Sequence, residues 1–330
     1  MSPANLVSAF YNAIFLLFLL VAPSSSYACT RIFWNSNTQT KVFARSMDLY
    51  ISDIPTLVVY PRHIVRSGET QQNPLHWQSK YGSVVVTAFH SNAASDGMNE
   101  RGLAAHLLYL TQTDYVQRNI KLPGISNAIW VQYVLDNFST VDEVIKHLNR
   151  FQVVPIKVNN MEWPLHLVIE DASGDSAIIE FLGGKMILHH GHQYTVLTND
   201  PAYAVQLSNL KRYSAFAGDL PLPGATDSIS RFVRASFFLK NLPNAKTKHD
   251  AICAILSALR PEMVAFGAGK SAASAGPVAG KTRWISLGDL SNKIYYFQST
   301  DSLRFIEIDL SKIDLANKDL NIVIDPNPSN

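Results

Sequence analysis

The stretch Ser26-Tyr27-Ala28-Cys29-Thr30-Arg31-Ile32-Phe33-Trp34 decides how the rest of the chain is read. Before it, the apolar run 13–22 is too short for a bilayer, which needs about 20 residues, and suits the core of a signal peptide. Pro23 and Ser24 to Ser26 break the helix, and small residues at Ser26 and Ala28 fit a signal-peptidase site. Residues 1–12 carry no Lys or Arg, so only the terminal amine is positive there. The expected division is a leader at 1–28 and one mature domain at 29–330. Cleavage would make Cys29 the first residue, with a thiol and a free α-amine on one residue. An α-amine titrates at about 7.7–8.0, so it can take the thiol's proton near neutral pH. A retained anchor and a lipid-modified Cys29 are the competing readings; Ser26 stands where lipoprotein signals usually carry Leu.

A mature chain of 302 residues can bury one large core or two small ones. Apolar content of 47% and charged content of 16% describe a globular chain. With a net charge of +2 and no long basic run, nucleic acid is not an expected partner. No second apolar stretch is long enough for a membrane span. The other thiol, Cys253, lies in Ala251-Ile252-Cys253-Ala254-Ile255 and is expected on the buried face of a helix.

Working outward from Trp34, β-branched and aromatic runs predict strands at 30–34, 56–60, 83–89 and 102–109. Asp96-Gly97-Met98-Asn99 reads as a turn before the last of these. Helices follow at 127–137 and 141–148, the second opened by a capping box at Thr140 and Glu143. Strands resume at 165–169, 176–181, 185–188 and 194–197, then helices near 202–213, 228–241 and 248–259, then strands at 283–286, 293–297 and 304–308. This order suggests mainly antiparallel sheets with helices outside. The stretch 267–280, rich in Gly, Ala and Ser, reads as a loop.

A thiol nucleophile needs a cation beside it, a group to hold the amine, and donors for the developing oxyanion. Arg45 could stabilise the thiolate and Asp48 could accept from the α-amine; the pair is expected at a strand end and turn. The segment His189-His190-Gly191-His192 has no Cys or Glu at ligand spacing and reads as a hairpin turn rather than a metal site. Gly267-Ala268-Gly269-Lys270-Ser271 resembles the end of a phosphate loop, but Val264 replaces its first glycine. No organic cofactor or metal is required.

Cys29-Thr30-Arg31-Ile32, with Arg45-Ser46-Met47-Asp48 sixteen residues on, resembles the choloylglycine hydrolase and penicillin V acylase family of N-terminal-nucleophile hydrolases. Asp96-Gly97-Met98-Asn99-Glu100-Arg101-Gly102-Leu103-Ala104, Val196-Leu197-Thr198-Asn199-Asp200-Pro201 and Ser230-Arg231-Phe232-Val233-Arg234 continue the resemblance in order, to about Asp309. It implies a four-layer αββα sandwich (α+β, mainly antiparallel). It implies Cys29 as nucleophile, Arg45 beside the sulfur and Asp48 on the α-amine. Asn199 would be the side-chain oxyanion donor, the Tyr109 backbone N–H the second donor, and Arg231 a further active-site arginine. Tyr109 falls where the acylases usually have Tyr and bile salt hydrolases Asn. Leu49-Tyr50 follows Asp48 where many members have Trp. The short interval from Asn199 to Arg231 lacks a hairpin that helps many relatives form tetramers, though a homo-oligomer, dimer or tetramer, is still implied.

The expected activity is hydrolysis of an N-acyl amide with an apolar or aromatic acyl group, in the bacterial periplasm or outside the cell. Bile salt hydrolysis is the alternative; a lipid-anchored or inactive binder of acyl ligands is the reading from another class. The loops 50–55, 77–82 and 110–125 are expected to shape the pocket.

Overall fold

The computed structural model describes residues 29–158, 161–268 and 280–327. The expected leader, most of the 267–280 loop and with it the phosphate-loop resemblance lie outside them.

Two antiparallel sheets carry the fold. The first has six strands, ordered Val196–Leu197, Thr30–Trp34, Val42–Asp48, Thr282–Asp289, Ile294–Ser299 and Ile306–Asp309. The second has eight: Lys185–His190, Ser176–Leu182, Leu165–Asp171, Leu103–Tyr109, Ala93–Asn99, Ser83–Ala88, Thr56–Tyr60 and Ile322–Ile324. The side-chain period of two explains the layering. In Leu165–Asp171, Val168 joins the core between the sheets, while Leu167 and Ile169 join the core beneath the outer helices. Trp130–Asn137 packs on the second sheet, and Ser228–Lys240 and Lys248–Leu259 pack on the first. Each sheet is thus covered on both faces. That is why Thr30–Trp34, Val42–Asp48 and Ser83–Ala88 are buried at every position, while edge strand Lys185–His190 is not. The result is the α+β, αββα sandwich expected from the sequence.

Several local expectations are corrected. Asp96 to Asn99 is not a turn; it is the end of the strand Ala93–Asn99. Gly97 permits this, because a Cβ there would press on Leu135 and on the neighbouring strand at Val84. The actual turn follows, with Gly102 at φ +78 and no room for a Cβ against the Leu290 carbonyl. Arg45 lies within the strand Val42–Asp48 rather than at its end; Asp48 is its last residue. Thr140 accepts from the Glu143 N–H at 3.2 Å, but the Glu143 carboxylate takes the Ser139 N–H at 2.7 Å, one residue off the expected reciprocal box. A complete box sits instead at Thr247 and Asp250. Cys253 is exposed, not core: the buried stripe of Lys248–Leu259 is Ala251, Ile255, Ala258 and Leu259, and position 253 falls off it. His189 and His190 end a strand rather than form a turn; they face Glu180 at 3.4 Å and Asp175 at 2.7 Å.

Candidate active site

Cys29 stands just before the strand Thr30–Trp34 and is 2% exposed. The first sheet brings the adjacent strand Val42–Asp48 alongside, so Arg45 and Asp48 arrive by backbone pairing. Asn199 follows the short strand Val196–Leu197 on the other flank, and Arg231 rises from the first turn of the helix Ser228–Lys240, whose N-terminus Asp227 caps. Arg45, Asp48, Asn199 and Arg231 are all fully buried.

Arg231 is the hub. One guanidinium nitrogen donates to the Cys29 carbonyl at 2.7 Å and to the Thr30 hydroxyl at 2.5 Å. The other donates to Asn199 Oδ1 at 3.3 Å, and Asp48 lies 3.8 Å away. Asn199 Oδ1 also accepts the Cys29 backbone N–H, and its Nδ2 donates to the Tyr109 carbonyl at 2.8 Å. A carboxamide nitrogen carries two protons, and the bond to Tyr109 uses one of them. Asp48 accepts from Thr282 Oγ1 at 2.5 Å and from Ser46 at 3.2 Å. Cys29 N is bonded to Asn199 rather than to Asp48.

Burial dominates the electrostatics. It pushes the Cys29 thiol up; Arg45 and the Asp48 backbone N–H oppose it, and the Asp48 carboxylate reinforces it. The expectation that Arg45 would make a ready thiolate is therefore only half met. It pulls in that direction and is outweighed by burial. Burial also raises Asp48 to about 7 against the pull of Arg231, Thr282 and Ser46. Behind Arg231, Arg234 donates to the fully buried Glu262 at 2.9 Å, and burial raises Glu262 to about 7.

Cys29 forms part of the wall of an apolar cavity of ≈ 640 Å³, open mouth included, with Met47, Leu49, Phe89, Leu107 and Trp163. Tyr109 lines it as well, and the Phe89 and Trp163 rings lie 5.3 Å apart. Of the loops expected to shape it, only 50–55 contributes, through Asp53; the segment 88–95 and Trp163 do so instead. Sequence reading also missed Met47, whose sulfur lies 3.6 Å from the thiol and 3.8 Å from Arg45, and Thr282, which holds Asp48. Alternation along Val42–Asp48 could have flagged Met47, two residues from Arg45 on the same face. Among the described residues, no group of three or more His, Cys, Asp or Glu is arranged to hold a metal, and no helix is long and apolar enough to cross a membrane.

Residues 29–324 match the family described as linear amide C–N hydrolases, choloylglycine hydrolase family. The chain is 37% identical to a penicillin V acylase of Pectobacterium atrosepticum, over 92% of this chain and 86% of that one. It is 25% identical to a bile salt hydrolase/transferase of Clostridium perfringens, over 88% and 95%. Among solved structures, penicillin V acylase from Agrobacterium tumefaciens superimposes with a TM-score of 0.79 at 38% identity, covering 89% of this chain and 90% of that one.

Proposed function

The chain belongs to the choloylglycine hydrolase family and is a linear amide C–N hydrolase; on that premise we propose that it is a penicillin V acylase-like enzyme whose nucleophile is Cys29, made N-terminal by removal of residues 1–28. The observation that carries this is the position of one thiol. Cys29 faces an apolar cavity on one side, while Arg231 and Asn199 grip its backbone on the other.

In this reading the acyl group of the substrate enters the cavity and its carbonyl carbon meets Sγ. The α-amine accepts the thiol proton as the C–S bond forms, which suits a thiol that burial keeps protonated. Asn199 Nδ2 donates to the developing oxyanion, with the Tyr109 backbone N–H as the second donor. The same amine then returns its proton to the departing nitrogen. Water hydrolyses the thioester by the reverse proton route, regenerating the thiol. Asn199 Oδ1 holds the amine, and Arg231 fixes the Cys29 carbonyl and Asn199 in one frame, with Asp48 paired behind it. Arg45 offsets part of the cost of the thiolate.

The substrates are N-acyl amides with an apolar or aromatic acyl group, because the walls offer Leu, Met, Phe and Trp side chains. N-acyl-homoserine lactones share that amide geometry. Mature protein should begin at Cys29 by mass spectrometry and should release amine from penicillin V and an acyl-homoserine lactone faster than from glycocholate. Retained turnover in Cys29→Ala would refute the nucleophile; faster release from glycocholate would establish the bile salt reading instead.

A further inference from the structure

Between the two sheets, behind Arg45, runs a line of buried ionisable side chains to which the reaction assigns no role. Arg45 donates to Asp96 Oδ2 at 2.8 Å. The same oxygen lies 2.7 Å from His106 Nδ1, and Asp96 Oδ1 accepts from the Tyr295 hydroxyl. His106 Nε2 lies 2.9 Å from Glu170 Oε1, and Glu170 Oε2 accepts from Arg31 Nε at 3.1 Å and from a second Arg31 nitrogen. All five charged residues are at 0% exposure, and they come from five different strands.

The imidazole is the informative member. It meets a carboxylate oxygen at each ring nitrogen. Both carboxylates are ionised, since each is paired with an arginine, and an ionised carboxylate only accepts. An imidazolium, with both nitrogens donating, satisfies the two acceptors together. Burial alone would lower its pKa; Asp96 and Glu170 more than offset this and hold it above the ordinary value. With three cations and two carboxylates, the line carries one net positive charge. Its near end touches the site: Arg45 and the Cys29 thiol both contact the Met47 sulfur.

We propose that His106 is a positioning residue for Cys29: its doubly hydrogen-bonded imidazolium fixes Asp96 against Arg45 and keeps the line positive, which favours sulfur as it becomes anionic. This rests on Cys29 being the nucleophile. His106 is faced by Asp96 from Ala93–Asn99, Glu170 from Leu165–Asp171, and the Phe43 ring from Val42–Asp48 at 4.5 Å. Arg45 and Tyr295 act on it through Asp96, and Arg31 through Glu170. Around Cys29, Asp48 opposes Arg45 and Arg231.

The test uses mature protein carrying His106→Gln, His106→Leu or Glu170→Gln. Alkylation of Cys29 by iodoacetamide is followed against pH by peptide mass spectrometry, with exposed Cys253 as internal standard. Both His106 variants should raise the Cys29 midpoint by about one unit, slowing alkylation about tenfold below the midpoint, while Cys253 is unchanged. Glu170→Gln removes a negative charge, so the line keeps its positive charge and the Cys29 midpoint should not rise; in the His106 variants kcat should fall with KM nearly constant. A folded His106 variant whose Cys29 midpoint stays within about 0.2 unit of wild type, against that expected unit, or a Glu170→Gln midpoint that rises as far as theirs, overturns the proposal. Nitrogen resonances of wild-type His106 provide a check that needs no variant: a neutral ring at pH 7 also overturns it. Alkylation reads the thiol directly. If Cys29→Ala kept its amidase activity while the His106 shifts appeared, the nucleophile assignment would fail and the charge coupling would stand.

Discussion

Arg231→Met removes the hub while keeping an unbranched apolar chain of similar reach. Two losses compete. At 3.8 Å from Asp48, with an effective dielectric near 20, the ion pair is worth about 4 kcal/mol. That loss is capped, because Asp48 already titrates near 7 and will take a proton rather than remain a lone buried charge. The bonds to the Cys29 carbonyl, Thr30 hydroxyl and Asn199 Oδ1 have no such escape. Charge-assisted bonds contribute about 1.5–3 kcal/mol each and are not additive. The net destabilisation should therefore be about 3–5 kcal/mol, as for other broken buried pairs. With a urea m-value of about 3 kcal/mol/M, the unfolding midpoint should fall by roughly 1–1.7 M. The loss should be greater at pH 8 than at pH 6. In the wild type Asp48 ionises against Arg231 near pH 7; in the variant its folded pKa is pushed higher, so the folded state loses stability as pH rises. Arg231→Lys restores the charge but not the fork and should recover about half of the midpoint. A midpoint within about 0.3 M of wild type, with kcat retained, would refute the hub.

Other outcomes follow from the same geometry. Asn199→Ala should lower kcat by about 10²–10³ with little change in KM, measured as released amine; a loss below about tenfold would remove Asn199 from the oxyanion site. Glu262 has its folded pKa raised from 4.5 to about 7 by burial. Its favourable contribution is fully present below 4.5 and is lost as pH rises towards 7. Glu262→Gln should therefore flatten the fall in urea midpoint across that window, and an unaltered slope would contradict the assignment. Gly102→Ala combines a left-handed backbone with contact against the Leu290 carbonyl and should cost at least about 1–3 kcal/mol; a thermal midpoint equal to wild type would show that the turn relaxes freely.

Much of the fold was legible because a four-layer sandwich demands little subtlety of its strands. Interior strands buried on both faces carry unbroken apolar stretches, and Val84 to Val86 and Leu167 to Ile169 read as such. What escaped did so for identifiable reasons. Ile322–Ile324 is three residues long and becomes a strand only by pairing with Thr56–Tyr60. Asp96-Gly97-Met98-Asn99 has the composition of a turn, and tertiary packing overrides it. Cys253 was misplaced by reading apolar composition without helical phase. Cys29, Arg45, Asp48, Asn199 and Arg231 were found through short motifs, and the structure gathers them around one thiol. The line from Arg45 to Arg31 was invisible because its partners lie on strands far apart in sequence, where no local spacing can announce them.

The grip on Cys29 is asymmetric. Asn199 Oδ1 takes the nitrogen alone, while Arg231 takes hold of the Cys29 carbonyl and the following residue's hydroxyl, downstream of the bond whose scission would free the amine. A precursor and its trimmed product can then share one architecture. On the proposed cleavage, maturation would unmask a base without rebuilding the cleft, a latent catalyst switched on by charge rather than by shape.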